Sequence, residues 1–85
     1  MFLARVFITL KPTINDPEGQ TILGGLRDMG IDTVISVRAG KYMEVRLEAK
    51  TQSAAAERVK DMCDKLLANP VIEEYRFEIE PVEDE

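Results

Sequence analysis

Arg38 and Lys41 flank the pair Ala39-Gly40, and Tyr42, Glu44, Arg46 and Glu48 follow at every second position. On residue type alone, this is where the chain could do chemistry. Arg offers a planar fork of donors that matches a carboxylate, and Lys offers a compact point charge. Both suit recognition of an acidic surface; the plainer alternative is a pair of solvated turn charges. Bond-making is harder to build here, because the chain contains no histidine. That removes Ser-His and Cys-His nucleophile pairs, histidine metal ligands and a histidine pH switch together. Catalysis would have to rest on carboxylates, Lys, Tyr or Arg. No catalytic, cofactor-binding or metal-binding residue is assigned, and the composition argues against an autonomous enzyme. The single cysteine, Cys63, can form no intramolecular disulfide, which fits a reducing cytoplasm.

The elements that must position these residues are those of one small domain. The chain has 85 residues, 45% of them hydrophobic, a composition of globular rather than disordered proteins. A domain near this size buries roughly 60% of its unfolded surface, so its margin of stability is thin. Residues 1–80 are expected to form the domain and 81–85 an acidic, frayed tail. The net charge of −5 suits phosphate backbones poorly, because these demand clustered Lys and Arg, so no nucleic-acid partner is expected. No apolar run approaches the roughly 20 residues of a membrane span. Met1-Phe2-Leu3-Ala4-Arg5 has no basic region ahead of its apolar residues, unlike a secretory signal.

The run from Tyr42 alternates without error. Met43, Val45, Leu47 and Ala49 fall on one side and the charged set on the other, the pattern of a half-buried strand. Ile35 and Val37 mark a strand before it. Ala39-Gly40 then reads as the reversal of a β-hairpin, with Gly supplying a positive φ and with Arg38 and Lys41 at the mouth. Phe2 to Lys11 is the first strand, with Ala4, Val6, Ile8 and Leu10 inward and Phe7 on the mixed face. Phe7 is either an ordinary cross-strand aromatic or part of a subunit contact.

Asp16-Pro17-Glu18 opens a helix, Asp16 as its cap and Pro17 at its first position. Ile22, Leu23, Leu26 and Met29 make its inward stripe, and Gly30 is its left-handed stop. Gly24 and Gly25 weaken it by roughly 1 kcal/mol each, which suggests either a close approach there or chance drift. A second helix starts at Thr51 or Ser53 and carries Ala55, Val59, Met62, Cys63 and Leu66 on one face. Cys63 on that stripe reads as a packed core thiol. Asn69-Pro70 stops the helix, Asn69 holding the corner without a chemical role. Val71 to Glu80 is the last strand, with Tyr75, Phe77 and Ile79 on one side.

The order β-α-β-β-α-β predicts an α+β, ferredoxin-like sandwich: a four-stranded antiparallel sheet, first and third strands central, with two helices on one face. The other face is left bare. Phe7 and Tyr42, with Glu44 and Arg46 nearby, are therefore expected to form a self-association surface of a dimer or tetramer.

This fold hosts many functions, so function must come from residues. An RNA-recognition sheet would use exposed aromatics such as Phe7 and Tyr42, but its Gly- and aromatic-rich signature is missing and the charge has the wrong sign. An acylphosphatase-like phosphohydrolase needs an Arg-bearing anion loop after the first strand, where this chain reads Lys11-Pro12-Thr13-Ile14-Asn15. A regulatory, small-molecule-binding module of the ACT kind shares the order and pairs side by side, and nothing in the spacing excludes it.

Four stretches in order resemble the PurS family. They are Val6-Phe7-Ile8-Thr9-Leu10-Lys11, Asp16-Pro17-Glu18-Gly19, the central Val37-Arg38-Ala39-Gly40-Lys41-Tyr42-Met43-Glu44, and Met62 to Glu73 followed by Tyr75-Arg76-Phe77. Gly24-Gly25 and the tail after Ile79 carry no family pattern. The resemblance implies the small subunit of phosphoribosylformylglycinamidine (FGAM) synthase in purine biosynthesis. It implies a glutaminase subunit and a large ATP-dependent synthetase subunit as partners, and a non-catalytic role in joining them so that ammonia reaches formylglycinamide ribonucleotide. On this expectation ATP, Mg and glutamine are used by the complex and none is bound by this subunit. Arg38 and Lys41 are then expected to contact a partner subunit.

Overall fold

Phe2–Leu10 forms strand β1, the middle of a three-stranded antiparallel sheet in the computed structural model of the chain. The structure describes residues 1–83; Asp84 and Glu85, the end of the expected acidic tail, lie outside the described residues. Helix α1 spans Pro17–Asp28, β2 Gly40–Leu47, α2 Gln52–Met62 and β3 Glu73–Pro81, and the sheet order is β2-β1-β3. A single π-helical turn, Cys63–Leu67, continues α2.

The alternation in β1 builds the core. Phe2, Ala4, Val6 and Ile8 are buried, and the intervening residues through Phe7 are half-buried on the other face. Helix α2 and the π turn that continues it lay Ala55, Val59 and Cys63 onto this row. Met43, Val45 and Leu47 of β2 and Tyr75, Phe77 and Ile79 of β3 flank it, each only half-buried. The Thr51 hydroxyl caps α2 by accepting the Ala54 N–H at 3.1 Å. Cys63 is a fully buried core thiol, and burial raises its pKa.

The stripe expected along α2 fails at Leu66, which is 83% exposed. The π turn is the cause. Ala68 donates its N–H to the Cys63 carbonyl, five residues back, so the helix winds one residue more per turn and Leu66 rotates outward. Half-buried Leu67 and buried Ala68 take the inward positions instead.

Two expectations are corrected. Among the described residues the sheet has three strands, not four: residues 34–39 belong to no strand, and Ile35 is 87% exposed. No hairpin forms about Ala39-Gly40, because Gly40 does not take a positive φ; among the described residues Gly30 alone does, at 85°. Gly40 is needed for closeness, not for a turn. It begins β2 opposite Thr9, and a Cβ there would lie 2.5 Å from the Ile8 carbonyl oxygen. The expected third strand, β2, is therefore an edge strand and not a central one. The expectation of two helices on one face also changes, because α2 packs on β1 and β3 while α1 makes no more than marginal contact with any element. The described chain is accordingly long, 51 × 29 × 16 Å.

The helix ends follow expectation. The Asp16 carboxylate accepts the Gly19 N–H at 3.0 Å, Pro17 fills the first turn and Gly30 closes α1. Nothing outside their own helix lies within 4 Å of a Cβ added at Gly24 or Gly25, so among the described residues no other part of the chain approaches them. The frayed tail is corrected in its first residues: β3 runs through Pro81, and Val82 donates its N–H to the Met1 carbonyl at 2.9 Å. Among the described residues no helix is long and apolar enough to cross a membrane.

Candidate partner-binding surfaces

The outer face of the sheet gathers the expected self-association residues. Strand register sets Phe7 opposite Tyr42 and Arg5 opposite Glu44, with Leu3 opposite Arg46. The Phe7 and Tyr42 rings sit 5.2 Å apart at 44°. The Tyr42 hydroxyl donates to Glu44 Oε2 at 2.7 Å, and this hydrogen bond holds the phenol pKa above its usual value. The Arg46 guanidinium donates to the Glu83 carbonyl at 3.3 Å and lies 3.6 Å from Met1 Sδ, so it ties together the two chain ends.

Two members of this face were missed in the sequence. Arg76, opposite Phe7 on the far side, lays its guanidinium 4.0 Å over the Phe7 ring, a cation–π contact. Arg5 pairs with Glu80 at 2.6 Å, a hydrogen bond that lowers the Glu80 pKa. Both residues alternate outward on their strands, so the signal was present, but the register that joins β1 to β3 is not written in either strand alone. Phe7, Thr9, Glu74, Tyr75 and Arg76 line a shallow hollow of about 330 Å³.

Arg38 and Lys41 stand at one end of the sheet, where β1 leaves and β2 enters, and not at a hairpin mouth. Arg38 faces its own chain: Nη2 donates to the carbonyls of Lys11 and Ile14, each at 3.0 Å, and sits 3.5 Å from that of Leu10. It clamps the loop between β1 and α1. Lys41 pairs with Glu73 at 3.3 Å while remaining largely exposed. The Asn69 N–H is the larger cause of the low Glu73 pKa, and Lys41 adds to it.

Asp16 completes this end and exceeds its expected role as a cap. It is 4% exposed, and its second oxygen accepts the Ala39 N–H at 2.7 Å. The Gly19 and then the Ala39 N–H groups hold its carboxyl below the usual range, and the charge of Arg38 helps. Asn69 behaves as a corner residue. Its side chain accepts the Val71 N–H, its carbonyl those of Ile72 and Glu73, and its own N–H donates to Glu73. Nearby Leu66 and Val71 leave apolar side chains in the open.

These residues make hydrogen bonds and ion pairs with one another, and none forms a nucleophile–base pair. The arrangement can hold shape and present surface. Residues 3–81 match the family model described as PurS: phosphoribosylformylglycinamidine (FGAM) synthase. The chain is 47% identical over 79 residues to a phosphoribosylformylglycinamidine synthase subunit PurS from Synechocystis sp., covering 93% of this chain and 79% of that one. Its fold matches the crystal structure of Methanocaldococcus jannaschii PurS at a TM-score of 0.89, with 38% identity over 98% of this chain and 100% of that one. A chain in the structure of PurLQS from Thermotoga maritima matches at 0.83, with 32% identity, covering 93% and 98% respectively.

Proposed function

The chain belongs to the PurS family, and from that premise we propose how its surface serves FGAM synthase in purine biosynthesis. It is the PurS subunit of that enzyme, a member of a complex with the PurL- and PurQ-type subunits that the Thermotoga maritima assembly is named for. On our reading it bridges a glutaminase subunit and an ATP-dependent synthetase subunit in the cytoplasm and contributes no reacting group. ATP, Mg and glutamine are handled by the other subunits. The observation that carries the reading is the likeness along the chain, from residue 3 to 81, to a family named for this enzyme.

Rigid placement has a chemical purpose. Ammonia released into water at neutral pH is protonated and loses its nucleophilicity. A complex that holds two active sites in register and excludes water between them avoids that loss. A hydrogen-bonded sheet with a clamped end is suited to fixing such a register.

Two surfaces divide the work in this proposal. The end bearing Lys41, shaped by the Arg38 clamp, faces a partner subunit. The outer face with Phe7, Tyr42, Glu44 and Arg46 serves self-association. The test is reconstitution with the glutaminase and synthetase subunits. An Arg38→Ala, Lys41→Ala double variant is expected to stay folded and to lose co-purification and glutamine-dependent synthesis. Unchanged glutamine-dependent activity would overturn the assignment of that end.

A further inference from the structure

The sheet order β2-β1-β3 leaves β3 on the outside, and among the described residues no strand pairs beyond it. The register shows which of its backbone groups are left over. Lys11 donates its N–H to the Ile72 carbonyl at 2.8 Å, and Val82 donates to that of Met1 at 2.9 Å. Both bonds are in step with the pairing of Phe2 with Pro81 and of Leu10 with Glu73. Hydrogen-bonded and non-hydrogen-bonded pairs alternate along an antiparallel ladder. Glu74, Arg76, Glu78 and Glu80 therefore turn their backbone groups toward β1, while Glu73, Tyr75, Phe77 and Ile79 turn theirs outward. Such a row of outward N–H and C=O groups is a template on which another chain can add a strand. No bulge interrupts it, because the register with β1 is unbroken, and no proline stands in it before Pro81.

Both ends of this template are already occupied. At its start the Glu73 N–H donates to the Asn69 carbonyl at 2.7 Å. At its far end the Gln52 side chain donates from Nε2 to the Ile79 carbonyl at 3.0 Å. Only the groups of Tyr75 and Phe77 lie between the two plugs. Helix α2 does not need Gln52 as a cap, because the Thr51 hydroxyl already accepts the Ala54 N–H. Gln52, exposed at the first position of α2, instead reaches across 27 residues to the strand.

We infer that Gln52 guards the β3 edge: by filling the Ile79 carbonyl it closes the template to strand addition and limits how far copies of the chain can assemble through their sheets. The limit matters because the sheet has two unlike edges. Pairing β3 of one copy with β2 of the next would run head to tail, and a head-to-tail contact that does not close yields an open fibre. The donor is the working part of the guard. A strand added along β3 would have to bring an N–H to the Ile79 carbonyl, where Gln52 Nε2 already sits.

Gln52→Ala and Gln52→Lys in the full chain test it, with no other subunit present. Alanine suits a helix and removes the donor, whereas lysine keeps a long side chain that donates. Growth of species larger than the native protein is followed by light scattering, and the grown species are examined by amide hydrogen exchange. Gln52→Ala is expected to retain its far-UV circular dichroism and to favour growth about fivefold, the equivalent of one ordinary hydrogen bond. The Tyr75, Phe77 and Ile79 amides should gain protection in the grown species, and Gln52→Lys should match the unsubstituted protein. Growth of Gln52→Ala no greater than that of the unsubstituted protein overturns the inference. So does growth that leaves those three amides exchanging freely, which places the association elsewhere, and so does equal growth with lysine. A lower thermal midpoint without growth makes Gln52 a stabiliser of α2 alone and also overturns it.

Discussion

One Asp16 oxygen accepts the Ala39 N–H at 2.7 Å while the other accepts the Gly19 N–H at 3.0 Å, so a single carboxylate joins the start of α1 to the start of β2 across 23 residues. Asp16→Ala removes both bonds at once. A lower thermal midpoint and faster amide exchange at Gly19 and Ala39 are expected.

The same carboxylate sets an acid limit. Its folded pKa lies below the ordinary 3.8. Its stabilisation is therefore fully present above the unfolded value and fades as pH falls through the lower folded value. Acid unfolding followed by circular dichroism below about pH 4 should show a step that Asp16→Asn flattens.

Two glycines should respond oppositely to the same change. Gly40→Ala drives a Cβ to 2.5 Å from the Ile8 carbonyl oxygen and should destabilise the protein by about 1–3 kcal/mol, as overpacking does. Gly24→Ala meets nothing within 4 Å in the single chain, so it should be tolerated. Urea titrations of both variants provide the comparison.

Arg76 and Phe7 should be energetically coupled. A cation over a half-buried ring at the surface contributes about 0.5–1 kcal/mol. A double-mutant cycle of Arg76→Ala and Phe7→Leu should return a coupling of that size and sign.

Cys63 should be chemically silent in the folded protein. Its sulfur is buried and its thiol pKa is raised by that burial, which disfavours the reactive thiolate. Iodoacetamide should label it slowly at pH 8 and rapidly in urea. Ile8→Ala, at the centre of the same core, should cost about 2–5 kcal/mol.

Strand alternation and helix caps were legible because each depends on neighbours a few residues away. Phe2 to Leu10 alternated as expected, and Asp16, Thr51, Gly30 and Asn69 sit where their side chains or backbones demand. The hairpin was misread because Gly40 has two uses. It can supply a positive φ, or it can let two backbones meet, and only the packing against Ile8 shows which applies. Arg38 was legible as a charged residue near a junction. The carbonyls of Lys11 and Ile14 that occupy it were not, because they come from a loop more than 20 residues earlier. Ile35 and Val37 alternate as a strand would, but among the described residues no strand forms there.

The π turn after α2 holds one residue more than an ordinary coil would. Shortening Cys63–Leu67 by one position, for example by removing Lys65, would restore the 3.6-residue period. Leu66 would then swing toward the sheet, and the corner at Asn69 would turn through about a quarter of the helix circumference. The spot of bare hydrocarbon that Leu66 now holds in the solvent thus depends on a single surplus unit of chain length, which a one-codon deletion would erase.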